Sequence, residues 1–261
     1  VESRGFIEFV VSSHSSLISS IGWHGFLMPP LVMSRPDTGW SFLLDHSAKN
    51  ALSNPNHADG SLPLVCICGG SASGKTHFVN GLVRQLESIG LTALPLHCDN
   101  YYRSRYKPDP IDGFDTINAI DTEALLADLR AARERTLTLL RRYDMASRVV
   151  DYRPIDESFL SAGYDLIVVE GAYGPQSILP RVLIDVVVYL DTPLWRRIWR
   201  RLRRDVRERG RSPISVLHQT FWQMLPGERR FIVPLRQQAH VVVRDPVKGS
   251  RAVLARITGH G

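Results

Sequence analysis

The sequence predicts an α/β domain with a parallel sheet flanked by helices, on three observations. Near-continuous apolar runs occupy residues 62–68, 91–98, 165–169 and 186–190, the length and composition of strands buried on both faces. The stretches between them carry apolar residues at helical spacing. A glycine-rich segment follows the first run and Asp99 and Glu170 follow the next two, where the ligands of such a sheet gather, at the carboxyl ends of its strands.

The elements follow in order. Residues 1–60 are rich in Ser, His, Gly, Pro and Asn with short apolar bursts. No period of 2 or 3.6 persists there, so they read as an N-terminal extension, with 50–61 as a linker. The domain is expected over 61–261. Its first strand, 62–68, runs into a glycine-rich turn. Phe78, Leu82, Val83, Leu86 and Ile89 then recur at helical spacing, and Gly90 closes that helix. A second strand covers 91–98, and a helix over 120–135 shows Leu125, Leu126 and Leu129 on one side. Two further strands, 165–169 and 186–190, precede a long Arg-rich helix over 193–208. A helix over 212–225 is entered through Pro213, and 239–243 is a last short strand. Trp195 and Trp199, four apart, are expected to anchor their helix in the core.

Composition narrows the function. A chain of 261 residues with 44% apolar content can bury a sizeable core. No apolar run reaches the roughly 18–20 residues a membrane span requires, and residues 1–11 lack the basic head and apolar stretch of a secretory signal. The first residue is Val1, so either the start is unusual or the chain is a fragment. Three Cys (Cys66, Cys68, Cys98) in apolar runs, without framework spacing, indicate a reducing compartment. A cytoplasmic location is expected. Cys66 and Cys68 share a strand face, but a metal site there would need further ligands. The net charge of +6 is local: between positions 196 and 211 nine Arg face Asp205 and Glu208, a local +7 that leaves the remainder at −1. That distribution argues against a nucleic-acid surface and calls for a local explanation.

Gly69-Gly70-Ser71-Ala72-Ser73-Gly74-Lys75-Thr76 fits the pattern G-x-x-x-x-G-K-[ST], between an apolar strand and a helical period. A triphosphate needs many donors at close range. Glycines let main-chain N–H groups turn inward, and the next helix offers its free N–H groups and positive dipole end. Lys75 can reach the outer phosphates, and the Thr76 hydroxyl can ligate Mg²⁺. ATP or GTP with Mg²⁺ is thus expected on a P-loop NTPase-type domain. Asp99 ends the second apolar run. It can accept a proton from an attacking hydroxyl or hold Mg²⁺ through water; an ordinary helix cap is the other reading. Glu170 ends the third run and stands where a second metal-side carboxylate is expected, unless it is a solvated turn residue.

These residues resemble the uridine/cytidine kinases, within the uridine kinase and phosphoribulokinase group, from about position 62 to 245. The landmarks come in the family's order. Gly69 to Thr76 resembles its phosphate loop, and Asp99-Asn100-Tyr101-Tyr102 its Asp-x-[Phe/Tyr]-Tyr segment. Phe114-Asp115 with Asp121, Tyr143-Asp144, Glu170-Gly171, Arg204-Asp205 and Glu208-Arg209-Gly210-Arg211 follow, with Gln219 eight residues on. The resemblance implies Asp99 as general base and Thr76 and Glu170 on the metal side. Tyr102, Asp115, Tyr143, Arg201, Arg211 and Gln219 would hold the substrate, Asp115 through ribose hydroxyls. Arg204 and Arg209 would close over the phosphates from an Arg-rich helical lid. Two segments depart from the family. Its His-Pro-Asp is here Thr116-Ile117-Asn118, and its Thr/Ser-His-Ser-Arg run, which supplies a base-reading His, is here Met145-Ala146-Ser147-Arg148.

The expected activity is in-line transfer of a γ-phosphoryl group to a small-molecule hydroxyl, the 5′-hydroxyl of a pyrimidine nucleoside first. Guanidinium groups on a mobile lid suit the spread charge of such a transition state. The missing His keeps open another small alcohol or a sugar phosphate as acceptor. A non-catalytic nucleotide-binding regulator is the more distant alternative. The expected partner is a small-molecule substrate, without membrane or nucleic acid, and a homo-oligomer is left open.

Overall fold

The structure, a computed structural model, describes residues 62–174, 176 and 184–258, all within the unit Thr38–Gly261. The extension expected over 1–60 lies outside them. Five parallel strands form one sheet in the order β2-β5-β1-β6-β7: β1 (Leu64–Cys68), β2 (Ala93–His97), β5 (Leu166–Glu170), β6 (Val186–Leu190) and β7 (Val241–Val243). The first four begin and end within two residues of the apolar runs. Each residue of β1, β5 and β6 is buried, as strands covered on both faces require.

Alternation along β1 divides the core. Leu64, Cys66 and Cys68 face a cluster with Leu125, Leu126 and Leu129 of α2 (Thr122–Arg133). Val65 and Ile67 face Phe78, Val79, Leu82 and Leu86 of α1 (Lys75–Glu87), with Val253 and Ile257 of a C-terminal helix. Each buried Leu, Ile or Val contributes about 1.5–3 kcal/mol relative to exposure, so this sandwich holds the strand ends rigidly. The three cysteines are free and buried. Burial pushes the Cys68 thiol up to about 12 and raises Cys66 and Cys98, so they act as small hydrophobes.

Several elements were not expected, among them a hairpin and two capped helices. A hairpin pairs β3 (Leu139–Tyr143) with β4 (Val150–Pro154), antiparallel. Asp156 caps the short α3 (Glu157–Ala162), accepting from the Ser158 and Phe159 amides. Asp245 caps α7 (Pro246–Ile257), accepting from Val247 and Lys248, with Pro246 in its first turn. Among the described residues no helix is long and apolar enough to cross a membrane.

The Arg-rich helix is α4 (Leu194–Arg207). Trp195 and Trp199 are 67% and 59% exposed, which corrects the expectation that they anchor the core. The inward face of α4 is polar: Arg201 and Asp205 are its buried residues, Arg201 reaching the glycine-rich turn and Asp205 pairing with arginines. The helix expected over 212–225 is α5 (Pro213–Gln219) only. Beyond it, π-helical turns at Thr220–Met224 and Glu228–Ile232 flank a single α-turn, Leu225–Gly227. Pro226 has no N–H to give and crowds the turn before it, which accounts for the widened ladder. A last short helix, α6 (Leu235–Gln238), leads to β7.

Candidate active site

A cleft of about 1560 Å³ opens at the carboxyl ends of β1, β2 and β5. Its floor is the loop between β1 and α1. Gly74 caps α1 at φ +94°, a left-handed conformation that only glycine adopts without strain. Ala72 is also left-handed, at φ +58°. The Lys75 ammonium donates to the carbonyls of Gly69 (3.1 Å) and Gly70 (3.2 Å), and Ser73 N–H to Gly70 (3.1 Å). The amides of Ala72, Gly74, Lys75 and Thr76 have no main-chain partner among the described residues. Free amides at a helix start beside an ammonium form an anion cradle.

Ser71, Ala72, Gly74, Lys75 and Thr76 line the cleft, whereas Gly69, Gly70 and Ser73 do not. Gly69 and Gly70 are buried behind the loop. Ser73 is buried with its hydroxyl unpaired, and its carbonyl accepts from Thr192 Oγ1 (2.9 Å).

Glu170 stands at the end of β5, in register with Ile67 and His97. Its Oε1 accepts from Thr76 Oγ1 (2.7 Å) and from His97 Nδ1 (2.8 Å), so that ring nitrogen carries a proton. Burial alone would raise this carboxyl. The hydrogen bonds from His97 and Thr76 and the charge of Lys75 outweigh burial and hold it below its ordinary value. The Glu170 hydrogen bond raises His97 against its own burial. Glu170 Oε2 is buried with no partner. An orphaned carboxylate oxygen beside a hydroxyl, next to a phosphate cradle, is the hard-oxygen donor set that suits Mg²⁺, so these residues fit the ion.

Asp99 lies in the 3₁₀ turn Cys98–Tyr101 that follows β2 and is exposed to the cleft. It therefore stands two residues past the register partner of Glu170. Across the cleft, the Tyr102 and Tyr143 rings lie 5.7 Å apart, tilted. Tyr143 comes from the unexpected hairpin. Asp115 Oδ2 is buried without a partner. Desolvation raises the Asp115 carboxyl, opposed chiefly by Arg201.

Arg201, Arg204, Arg209, Arg211 and Gln219 all reach the cleft. Asp205, fully buried, organises the four arginines: Arg204 Nε at 3.0 Å, Arg209 Nη1 and Arg211 Nη1 at 3.6 Å, Arg201 Nε at 3.7 Å. Arg211 Nη1 also donates to Gln219 Oε1, and Arg201 Nη1 donates to Ser71 Oγ (3.2 Å). The structure thus brings the sequence-identified residues to one cleft, apart from the three loop positions behind it. Sequence reading missed His97, Arg197, Arg200 and Glu228. His97 had a detectable signal, the polar end of an apolar run beside Asp99. Glu228 had none, since a carboxylate in a helical stretch reads as solvated.

The sequence matches the Phosphoribulokinase / Uridine kinase family over residues 64–248. It is 31% identical over 200 residues to the uridine kinase of Staphylococcus aureus (strain JH9), covering 73% of this chain and 90% of that one. Two solved structures share the fold. A Silicibacter sp. TM1040 protein, assigned by name only as a fructose transport system kinase, superposes with a TM-score of 0.57 at 16% identity, over 77% of this chain and 98% of that one. A possible uridine kinase from Bacillus stearothermophilus gives 0.51 at 21% identity, over 77% and 97%.

Proposed function

Because the chain belongs to the Phosphoribulokinase / Uridine kinase family, and is accordingly a phosphotransferase with an alcohol group as acceptor, we propose that it moves the γ-phosphoryl group of ATP, or GTP, to the 5′-hydroxyl of a pyrimidine nucleoside. The observation that carries this reading is the placement of Asp99. It is an exposed carboxylate lining the same cleft as the phosphate cradle, with the Tyr102–Tyr143 pair and Asp115 assigned to the acceptor side.

In this reading the amides after Ala72 and the Lys75 ammonium hold the phosphates. Lys75 leaves the Gly69 and Gly70 carbonyls for the outer phosphate oxygens, which are stronger acceptors. Thr76 and Glu170 would hold Mg²⁺, which when bound neutralises phosphate charge and aligns the terminal group. Asp99 accepts the proton of the attacking hydroxyl. Asp115 accepts from ribose hydroxyls, and the tyrosine pair flanks the ring. Arg201, Arg211 and Gln219 hold the acceptor, while Arg204 and Arg209 spread positive charge over the transferring group and help exclude water. The small-molecule acceptor is the sole partner this mechanism requires.

One observation favours a second acceptor class. The segment 145–148, at the cleft mouth, offers no imidazole, and Arg148 instead lies 4.5 Å from the Phe114 ring centre. A guanidinium there would suit a sugar phosphate. The test is ADP release with Mg²⁺-ATP against uridine, cytidine, other nucleosides, sugar phosphates and uncharged polyols. We expect uridine or cytidine to give kcat/KM at least about 100-fold above the others, because a wrong acceptor leaves polar groups of the pocket unpaired. Preference for a sugar phosphate would replace the nucleoside reading, and no turnover with any acceptor would remove the kinase reading.

Asp115 adds a pH signature. Its raised carboxyl takes a proton at higher pH than an ordinary aspartate. Ionised Asp115 therefore costs stability at neutral pH, a cost relieved as pH falls through its folded pKa. Once protonated it accepts fewer hydrogen bonds, so the acceptor KM should climb as pH falls, starting above the usual aspartate range. Asp115→Asn should raise the acceptor KM by about tenfold or more and flatten that limb. A wild-type KM without an acid limb would detach Asp115 from the acceptor.

A further inference from the structure

Ser71 lies in the variable part of the phosphate-loop pattern, yet all three of its polar groups are held by distant residues. Its N–H donates to Glu228 Oε1 (2.7 Å). Its carbonyl accepts from Arg197 Nε (3.0 Å), and its hydroxyl accepts from Arg201 Nη1 (3.2 Å). Arg197 and Glu228 are bonded to each other, Arg197 Nη2 meeting both carboxylate oxygens, and their side chains are only 11% and 6% exposed. The Arg197 guanidinium lies flat over Gly70, where a Cβ would collide with it. Arg197 comes from α4, and Glu228 opens the second π-helical turn, just past Pro226.

We propose that Arg197 and Glu228 form a clamp that fixes the shape of the phosphate loop, a positioning pair for nucleotide binding that lies outside the loop motif. The physical reason is next to it in sequence. Ala72 sits in the left-handed region at φ +58° without being glycine. Such a conformation persists where its surroundings over-determine it. Holding the amide, carbonyl and hydroxyl of Ser71 leaves the next residue little freedom, and the Ala72 amide follows the fixed peptide. A buried carboxylate and guanidinium gripping the two peptide units on either side of the Ser71 Cα are stiff, because each would be left unpaired by any shift. The clamp also makes the loop depend on the lid helix and on the π-helical segment. At Gly70, which the motif leaves free, a side chain would have to displace the Arg197 guanidinium.

The clamp rests on the loop being the triphosphate site, so wild-type affinity for Mg²⁺-ATP and Mg²⁺-ADP is measured first. Glu228→Ala should then weaken both nucleotides by about 10- to 100-fold, the effect of losing a hydrogen bond between charged and main-chain groups. The acceptor KM should stay within about threefold. Glu228→Gln keeps an oxygen for the Ser71 amide and should recover most of the loss. Leaving Arg197 unpaired could unfold the domain. The double variant Arg197→Met with Glu228→Met replaces the buried pair by apolar groups of similar size, a change that cores tolerate. It should fold and still bind both nucleotides poorly. Wild-type affinity in the folded double variant would overturn the clamp while leaving the triphosphate site intact. So would tighter ATP binding by Glu228→Ala with ADP unchanged, which would make Glu228 a repeller of the terminal phosphate. A wild type that binds neither nucleotide would take down the site and the clamp together.

Discussion

Asp99→Asn is expected to lower turnover by about 10²–10⁴-fold, the usual contribution of a positioned general base, and to leave nucleotide affinity nearly unchanged. The substitution keeps size and polarity and removes the proton acceptor. Asp99 is exposed in a short 3₁₀ turn whose neighbours Cys98 and Tyr101 are buried, so its carboxylate is held on a rigid base while facing the cleft. Among the described residues no hydrogen bond or ion pair joins it to the phosphate loop, so ground-state nucleotide contacts are expected to survive its loss. kcat and kcat/KM should fall together, the pattern of an interaction made only in the transition state. ADP release at saturating substrates, beside an equilibrium titration of nucleotide, makes the check. Unchanged turnover would leave Asp99 as a turn cap or a water-mediated metal holder. A loss confined to nucleotide affinity would place it on the phosphate side.

The same turn shows why much of the site was legible. Parallel strands buried on both faces leave a simple trace in sequence, because nearly every residue must be apolar. The first polar residue past such a run therefore marks the rim where chemistry sits. Asp99 and Glu170 stood out by that contrast, and the phosphate loop by its spacing. The start of the helix entered through Pro213 was readable for a related reason: proline, which has no N–H to leave unpaired, suits a first helical turn.

The elements that escaped invert that contrast. In β3 the buried residue of the Leu140-Arg141-Arg142 stretch is an arginine. Arg141 is 8% exposed, meets Asp121 at 3.4 Å and donates to the Tyr102 carbonyl (3.3 Å), while Leu139 is 47% exposed. Period-2 reading cannot find a strand whose polar residue is the one turned in. In α4 the polar residues again face inward and the two tryptophans face out, so hydrophobicity assigned the faces backwards. Glu228 was hidden because its partners lie 157 and 31 positions away, and a motif describes only neighbours. In each case burial is stabilised by a specific ionic or hydrogen-bonding partner, which composition does not encode.

Asp205→Ala should produce the largest loss of stability. Asp205 has no exposed surface, and four guanidinium groups lie within 3.7 Å of its carboxylate. Removing the anion leaves four positive charges crowded together, one of them, Arg201, nearly as buried as Asp205 itself. Burial already pulls Arg201 down, offset first by Asp115 and then by Asp205, so losing Asp205 removes one of the two carboxylates that compensate it. Breaking a buried ionic cluster from one side costs about 3–5 kcal/mol. In a domain of this size that lowers the melting temperature by roughly 10 °C. Function should fall further than stability, because Arg201, Arg204, Arg209 and Arg211 reach the cleft from this one anchor. Asp205→Asn separates the two effects. It retains an oxygen for some of the N–H donors and loses only the charge, so it should unfold at an intermediate temperature. Well below that temperature its nucleotide KM should still be raised, since neutral asparagine cannot hold four mutually repelling cations in place. If Asp205→Asn melts and turns over like the wild type, the arginines are positioned by their other hydrogen bonds, and the buried carboxylate is only one acceptor among several.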